Sequence, residues 1–198
     1  FGSARVIAGR FTEPTYDQLI VVFDEVDAGG KPLGVTFVLL DRGPDGNFRQ
    51  GGVQSGVLPG AASYRLRLAK GRFLAGDAYE GVVVMQDFGV AGNGRLVVSL
   101  VDYDPTRRPQ LKGAANVPSQ TCSYGMDTGN FDRQRVDDDG TVKVNRNLQV
   151  GLLLGLDCSR GISGRFQAAI WEVSPATGSA ALPLLLRGTA PDATADEI

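Results

Sequence analysis

The sequence predicts an all-β protein, an antiparallel β-sandwich in which jelly-roll connectivity is preferred to the immunoglobulin-like one. Three observations carry this. Glycine is abundant, 27 of 198 residues against a usual share of about 7 %. Only 21 % of residues are charged, and the apolar ones run to Val and Leu in strand-length stretches. Clusters of Gly, Pro, Asp and Asn separate those stretches, as tight turns require. The length suits one sandwich domain, expected over residues 1–188, followed by a polar tail at 189–198.

The elements follow in order. Residues 3–11, SARVIAGRF, predict a short strand that pairs within its own domain or is handed to a neighbour. Residues 18–26 and 33–41 place Leu19, Val21 and Phe23 on one face and Ile20, Val22 and Val26 on the other, the pattern of strands covered from both sides. Turns are expected at Asp27–Pro32 and Asp41–Asn47. Residues 49–60 are glycine-rich and predict an irregular edge or a broad loop. Over 63–70 Tyr64, Leu66 and Leu68 oppose Arg65 and Arg67, which is a half-exposed strand.

The clearest signal is at 71–103. Tyr79–Phe88 and Arg95–Tyr103 alternate apolar residues on both faces around the glycine-rich stretch 89–94, so they predict a central hairpin. Residues 104–135 keep no period and contain three prolines, which predicts a long loop; such loops are usually functional or pinned. Later strands are expected at 141–146, 148–156, 165–173 and 181–187, where Pro183 marks an edge or a strand start.

Cys122 and Cys158 lack the spacing of a zinc site or a CxxC redox motif. A disulfide between them would close a loop of about 37 residues and contribute roughly 4 kcal/mol in the chain-entropy picture; two reduced, partly buried thiols are the alternative. The chain starts at Phe1, as either a processed mature protein or a trimmed piece does; a cleaved secretory signal would explain the start, the two cysteines favour it, and a secreted or cell-surface location is expected. No run reaches the roughly 18 apolar residues of a membrane span.

Exclusions are sharper than assignments. The absence of histidine removes Ser-His-Asp and Cys-His catalysis along with the commonest metal ligand. Lys plus Arg at 20 against Asp plus Glu at 22 leaves no phosphate-neutralising surface, so nucleic acid is not an expected partner. Gly89, Gly92 and Gly94 lie between strands without dinucleotide spacing, and no P-loop is present. Asp41, Asp45 and Asn47 miss the calcium-loop spacing and read as a solvated turn, as does the run Asp137–Asp139. Carboxylate pairs such as Asp102 with Asp104, or Glu80 with Glu172, are what any chain with 22 acids offers. No cofactor or metal is expected, and no enzyme activity.

Three function classes remain, in order of preference. The first is an extracellular structural subunit, a homopolymer built by edge-strand addition with Arg5, Val6, Ile7, Ala8, Gly9 and Phe11 as the donated strand. The second is a secreted carbohydrate- or protein-binding module, with Tyr103, Tyr124, Phe131 and Trp171 as stacking faces and a surface polysaccharide as partner. The third is a hydrolase built on carboxylates.

The segment FLAGDAYEGVVVMQDFGVAGNGRLVVSLVDYD resembles the L-x-P-G-D, strand, N-x-G, strand pattern of secreted β-sandwich domains, including the filament-forming jelly rolls of the TasA/camelysin type. Val6–Phe11 is similar to the small-residue strand that opens those proteins. Ala75 stands where the usual proline would be, and Asp87-Phe88 where the Asn-x-Gly turn begins. The resemblance implies a jelly roll that assembles by donating its N-terminal strand to the next subunit.

Overall fold

The computed structural model describes residues 4–30, 32–58, 65–73, 78–88, 96–117, 121–129, 134–136, 142–144, 149–156, 165–173, 184–189 and 193–194, with side chains for 4–30, 33–58, 65–73, 78–88, 96–114 and 126–128. Among them every regular element is a strand. The first sheet has the order β1 (Ala4–Gly9), β2 (Gln18–Val26), β3 (Pro32–Arg42), β4 (Phe48–Leu58), and the second β5 (Arg65–Gly71), β6 (Gly81–Asp87), β7 (Leu96–Tyr103), β8 (Pro109–Val117). Both are antiparallel meanders in which each neighbour is next in sequence.

Their inner faces make the core. Ile20, Val22, Val35, Phe37 and Leu39 of the first sheet meet Leu66, Val82, Val84 and Val101 of the second, all essentially without solvent exposure. Alternation puts them there: Ile20 and Val22 on β2, like Phe37 and Leu39 on β3, are two residues apart and share a face. Phe11 closes one end of this core, tilted against Tyr103 with ring centroids 6.3 Å apart. Edge matches edge, β1 lying by β5 and β4 by β8.

The central hairpin forms in the register Val82↔Val101 through Asp87↔Leu96, with the intervening residues 89–95 outside the described ones. Every residue of β6 is buried, on both faces. On β2 and β3 the second face is only half covered: Leu19, Val21, Phe23, Val38 and Leu40 stay partly exposed. There the apolar residues expected to be covered from both sides are covered from one.

Turn chemistry follows the sequence. Gly29 N–H donates to Asp27 Oδ1 and Gly30 N–H to Asp27 O, both at 2.9 Å, with Gly30 at φ 79°. In the next turn Gly43 N–H donates to Asn47 O at 2.7 Å, and Asp45 accepts from Asn47 and Arg49. Of the stretch 49–60, the described residues 49–58 take the edge alternative: they lie in β4, which carries register shifts against β3, and 59–60 lie outside the described residues.

Within the stretch 104–135, expected as a loop, the chain instead forms β8, then β9 (Thr121–Gly129) and β10 (Gln134–Val136). β8 pairs with β7 from Tyr103↔Pro109 to Leu96↔Val117. Its residues, PQLKGAANV, carry no apolar alternation, so backbone pairing to an already formed neighbour determines it. Pro109 sits at the strand start, where no ladder donor is needed.

β10 pairs with β11 (Val142–Val144). A third sheet follows the order β14 (Leu184–Thr189), β13 (Arg165–Val173), β12 (Gln149–Leu156), β9, with β15 (Ala193–Thr194) on β13 inside the stretch expected as a tail. β9 lies beside β5 and β14 beside β8, and Thr128 Oγ1 donates to Lys70 O at 2.8 Å.

Candidate functional site

β1 is an edge strand held in cis. Its six residues pair with β2 from Ala4↔Phe23 to Gly9↔Gln18. Ala4, Val6 and Ala8 face solvent, Val6 with 59 % exposure, while Arg5 and Ile7 are half-buried and Ile7 reaches the core cluster. Its attachment combines the six-residue ladder to β2 with the packing of Ile7 on the core cluster.

The base of the strand is built differently. Arg10 N–H donates to Glu80 Oε2 at 2.8 Å and Glu80 N–H to Arg10 O at 2.9 Å, while Lys70 Nζ reaches the same carboxylate at 3.2 Å. Phe11 is fully buried, so it belongs to the core and not to a strand that could leave. Gly9 is the joint: a Cβ there would lie 2.7 Å from both Glu80 Oε2 and the Phe11 ring.

Beyond Phe11, residues 12–18 cross the end of the sandwich and are clasped by buried polar groups. Gln18 is unexposed; its Oε1 accepts from Phe11 N (3.2 Å) and Thr12 N (2.7 Å), and its Nε2 donates to Thr12 Oγ1 (2.8 Å) and Asp41 Oδ1 (2.7 Å). Arg107, in the turn between β7 and β8, donates through Nη1 to Asp41 Oδ2 at 2.7 Å and through Nη2 to Glu13 Oε1. Burial works against its charge, and Asp41, Glu13 and Tyr16 more than offset that, so the guanidinium stays protonated. The turn is shaped by Asp104, whose Oδ1 accepts from Thr106 N, Thr106 Oγ1 and Arg108 N.

Tyr103 ends β7 with only 9 % exposure, one wall of a small cleft of about 180 Å³ beside Arg107 and β4. Its hydroxyl is buried and has no hydrogen-bond partner among the described residues, and burial pushes its pKa well above the usual phenol value. No open stacking face remains on it.

The other expected site residues are not brought to Tyr103 by anything described. Tyr124 sits in β9 opposite Leu154, and Trp171 in β13 opposite Val150 and Leu186. Phe131 lies outside the described residues. Cys122 falls in β9 at the register shift beside Leu156, and Cys158 lies outside the described residues. The acids at 137–139 also lie outside them.

Asp41 and Asp45, considered together for calcium, face different partners, Arg107 and Gln18 for the first and Asn47 and Arg49 for the second. Glu80 and Asp104 hold the backbone at Arg10 and at 106–108. Sequence reasoning missed Arg107, because an arginine at φ 66° carries no signal where Gly or Asn is the expected residue.

No family model matches the chain, and no curated protein or solved structure matches it either.

Proposed function

We propose that this chain is an extracellular structural subunit that self-assembles into filaments or a surface layer by exchanging β1 between copies. The observation that carries the reading is the contrast across Gly9: Val6 is 59 % exposed on a strand held by its ladder and Ile7, while Phe11 is locked in the core. The hinge therefore falls at Gly9, and the exchangeable segment ends there.

In the cis form β1 fills its own groove along Gln18–Phe23. A neighbour's β1 would fill the same groove with the same contacts, so exchange costs little enthalpy and is driven by concentration. β1 is an end strand with β2 as its one ladder partner, the position from which strand exchange proceeds.

The reading includes export and a Cys122–Cys158 disulfide. Jelly-roll connectivity belongs to it through the resemblance and through the non-consecutive pair β9–β12, although the two four-stranded sheets are meanders. A binding module is the weaker reading because Tyr103, one of its four stacking residues, is in the core.

The test is deletion of residues 1–9, with Phe11 retained. Negative-stain microscopy and size exclusion are expected to show assemblies for the full chain and a folded monomer for the deletion. Assemblies that persist without the strand would sink the proposal.

A further inference from the structure

We propose that the outer face of the β1–β4 sheet is a second self-association surface, packing face to face against the same face of another copy about a two-fold axis. Strand exchange is not needed for it, since a β1 in cis completes the face equally well.

The pairing register places Val6, Val21, Val38 and Val53 directly across from one another, one residue per strand over the whole width of the sheet. Ala8, Leu19 and Leu40 form the next row, with Ala4 and Phe23 on the other side. Val6 is 59 % and Val53 50 % exposed, and Phe48 at the end of the face 46 %. These are three of the five large apolar residues exposed among the described ones, and they share one face. Scattered singly they would need no explanation; aligned in rows they make a patch.

Two arguments identify a second copy as the occupant. The first is area. Four strands about 4.8 Å apart and about eight residues long cover roughly 500 Å², so pairing two such faces removes about 1,000 Å² in flat projection, near the floor for a specific contact.

The second is charge. One end of the face carries Glu25, whose Oε2 accepts from Thr36 Oγ1 at 2.5 Å. The other carries Arg42 together with the ion pair Arg10–Asp17, at 3.7 Å, and is net positive by one charge. That basic end is cupped, an open hollow of about 510 Å³ floored by Ala8 and Leu19. A two-fold axis along the valine row brings Glu25 of one copy over the Arg10–Asp17–Arg42 end of the other, directly above Asp17, whose charge Arg10 balances, with Arg42 one strand to the side; Val21 lies midway between positions 17 and 25. An acidic end then faces an end of net positive charge on both sides of the axis, and apolar rows meet in the middle at the aligned angle usual for stacked sheets.

Sedimentation velocity of the full chain tests this. In the unexchanged fraction, separated from strand-exchanged assemblies by size exclusion, the wild type is expected to show a reversible, salt-sensitive dimer. Val6→Glu, which leaves the β1 backbone ladder intact, should weaken it at least about tenfold. Glu25→Arg and Arg42→Glu should each weaken it about threefold or more, and the double reversal should recover to within about twofold of wild type.

A wild type still monomeric at about 1 mM, a dimer indifferent to Val6→Glu, or a double reversal no better than the singles would each overturn the proposal. So would a protein that stays monomeric while binding phosphatidylcholine vesicles through Val6. The reversed charges sit on β2 and β3, outside the exchanged strand, so this test and the strand deletion fail independently.

Discussion

Arg107 and Asp41, 66 residues apart in sequence, meet at 2.7 Å and tie the β7–β8 turn of one sheet to β3 of the other. The same guanidinium holds Glu13, so one side chain fastens both sheets and the segment that follows the N-terminal strand. Asp41 is only 19 % exposed at its side chain, which makes an unpaired carboxylate there costly.

Arg107→Ala is therefore expected to lose about 2 kcal/mol, seen as a lower midpoint in urea. Arg107 also occupies the left-handed region at φ 66°, where a Cβ is strained. Arg107→Gly should accordingly be less damaging than Arg107→Ala by up to about 1 kcal/mol. Equal losses would mean that the backbone at 107 is not held in that conformation.

Asp102 gives a pH-dependent prediction. Burial raises its pKa, opposed by the Tyr103 N–H that its carboxylate accepts and by Lys112. The folded state then binds this proton more tightly than the unfolded chain does. Its contribution to stability is complete below the unfolded carboxylate value of about 3.9 and is lost as pH rises through the raised folded value. Asp102→Asn, which keeps an oxygen for Tyr103 N–H, is expected to raise Tm at pH 7 by at most about 3 °C and to change nothing near pH 3.5. Thermal melts at the two pH values check the sign.

The parts of the fold that were legible share a physical cause. In β5 the burial face is written into the side chains, Leu66 and Leu68 against the exposed Arg65 and Arg67, while β6 and β7 show themselves by continuous apolar runs that are buried on both faces. β8 was illegible because Gly113 and Ala114 carry no pattern and their strand exists through its ladder to β7. The prolines misled as well: Pro105 lies in the turn and Pro109 opens the strand, so neither interrupts it.

The candidate site divides the same way. β1 announced itself through Val6 and Ile7, whereas the clasp depends on Glu13, Asp41 and Arg107, three residues far apart in sequence. Their meeting is a product of topology. Phe11 was readable as apolar, but only the packing shows that it anchors the strand's base.

Two glycines separate strain from crowding. Gly30 is at φ 79° with nothing within 4 Å of an added Cβ, so Gly30→Ala should cost about 1 kcal/mol from backbone conformation alone. Gly34 is at φ 128°, and its added Cβ would stand 2.9 Å from Leu58 O and 3.1 Å from Gly56 Cα. Backbone atoms cannot yield as a side chain can, so Gly34→Ala should cost roughly 2–4 kcal/mol and loosen β4 from β3. Urea melts of the two variants are the check, and a Gly34→Ala protein as stable as Gly30→Ala would contradict the close approach of those strands.

Tyr103→Phe carries the last prediction. Among the described residues the buried hydroxyl has no hydrogen-bond partner, so nothing in them replaces the bond it makes to water in the unfolded chain. Removing it leaves the ring against Phe11, 6.3 Å between centroids, and leaves the cleft wall in place. The variant is expected to be neutral or up to about 1 kcal/mol more stable, the opposite of what most buried substitutions do. A loss of more than about 1 kcal/mol in urea denaturation would show that the hydroxyl is bonded in solution, and the cleft beside Arg107 would then be where its partner sits.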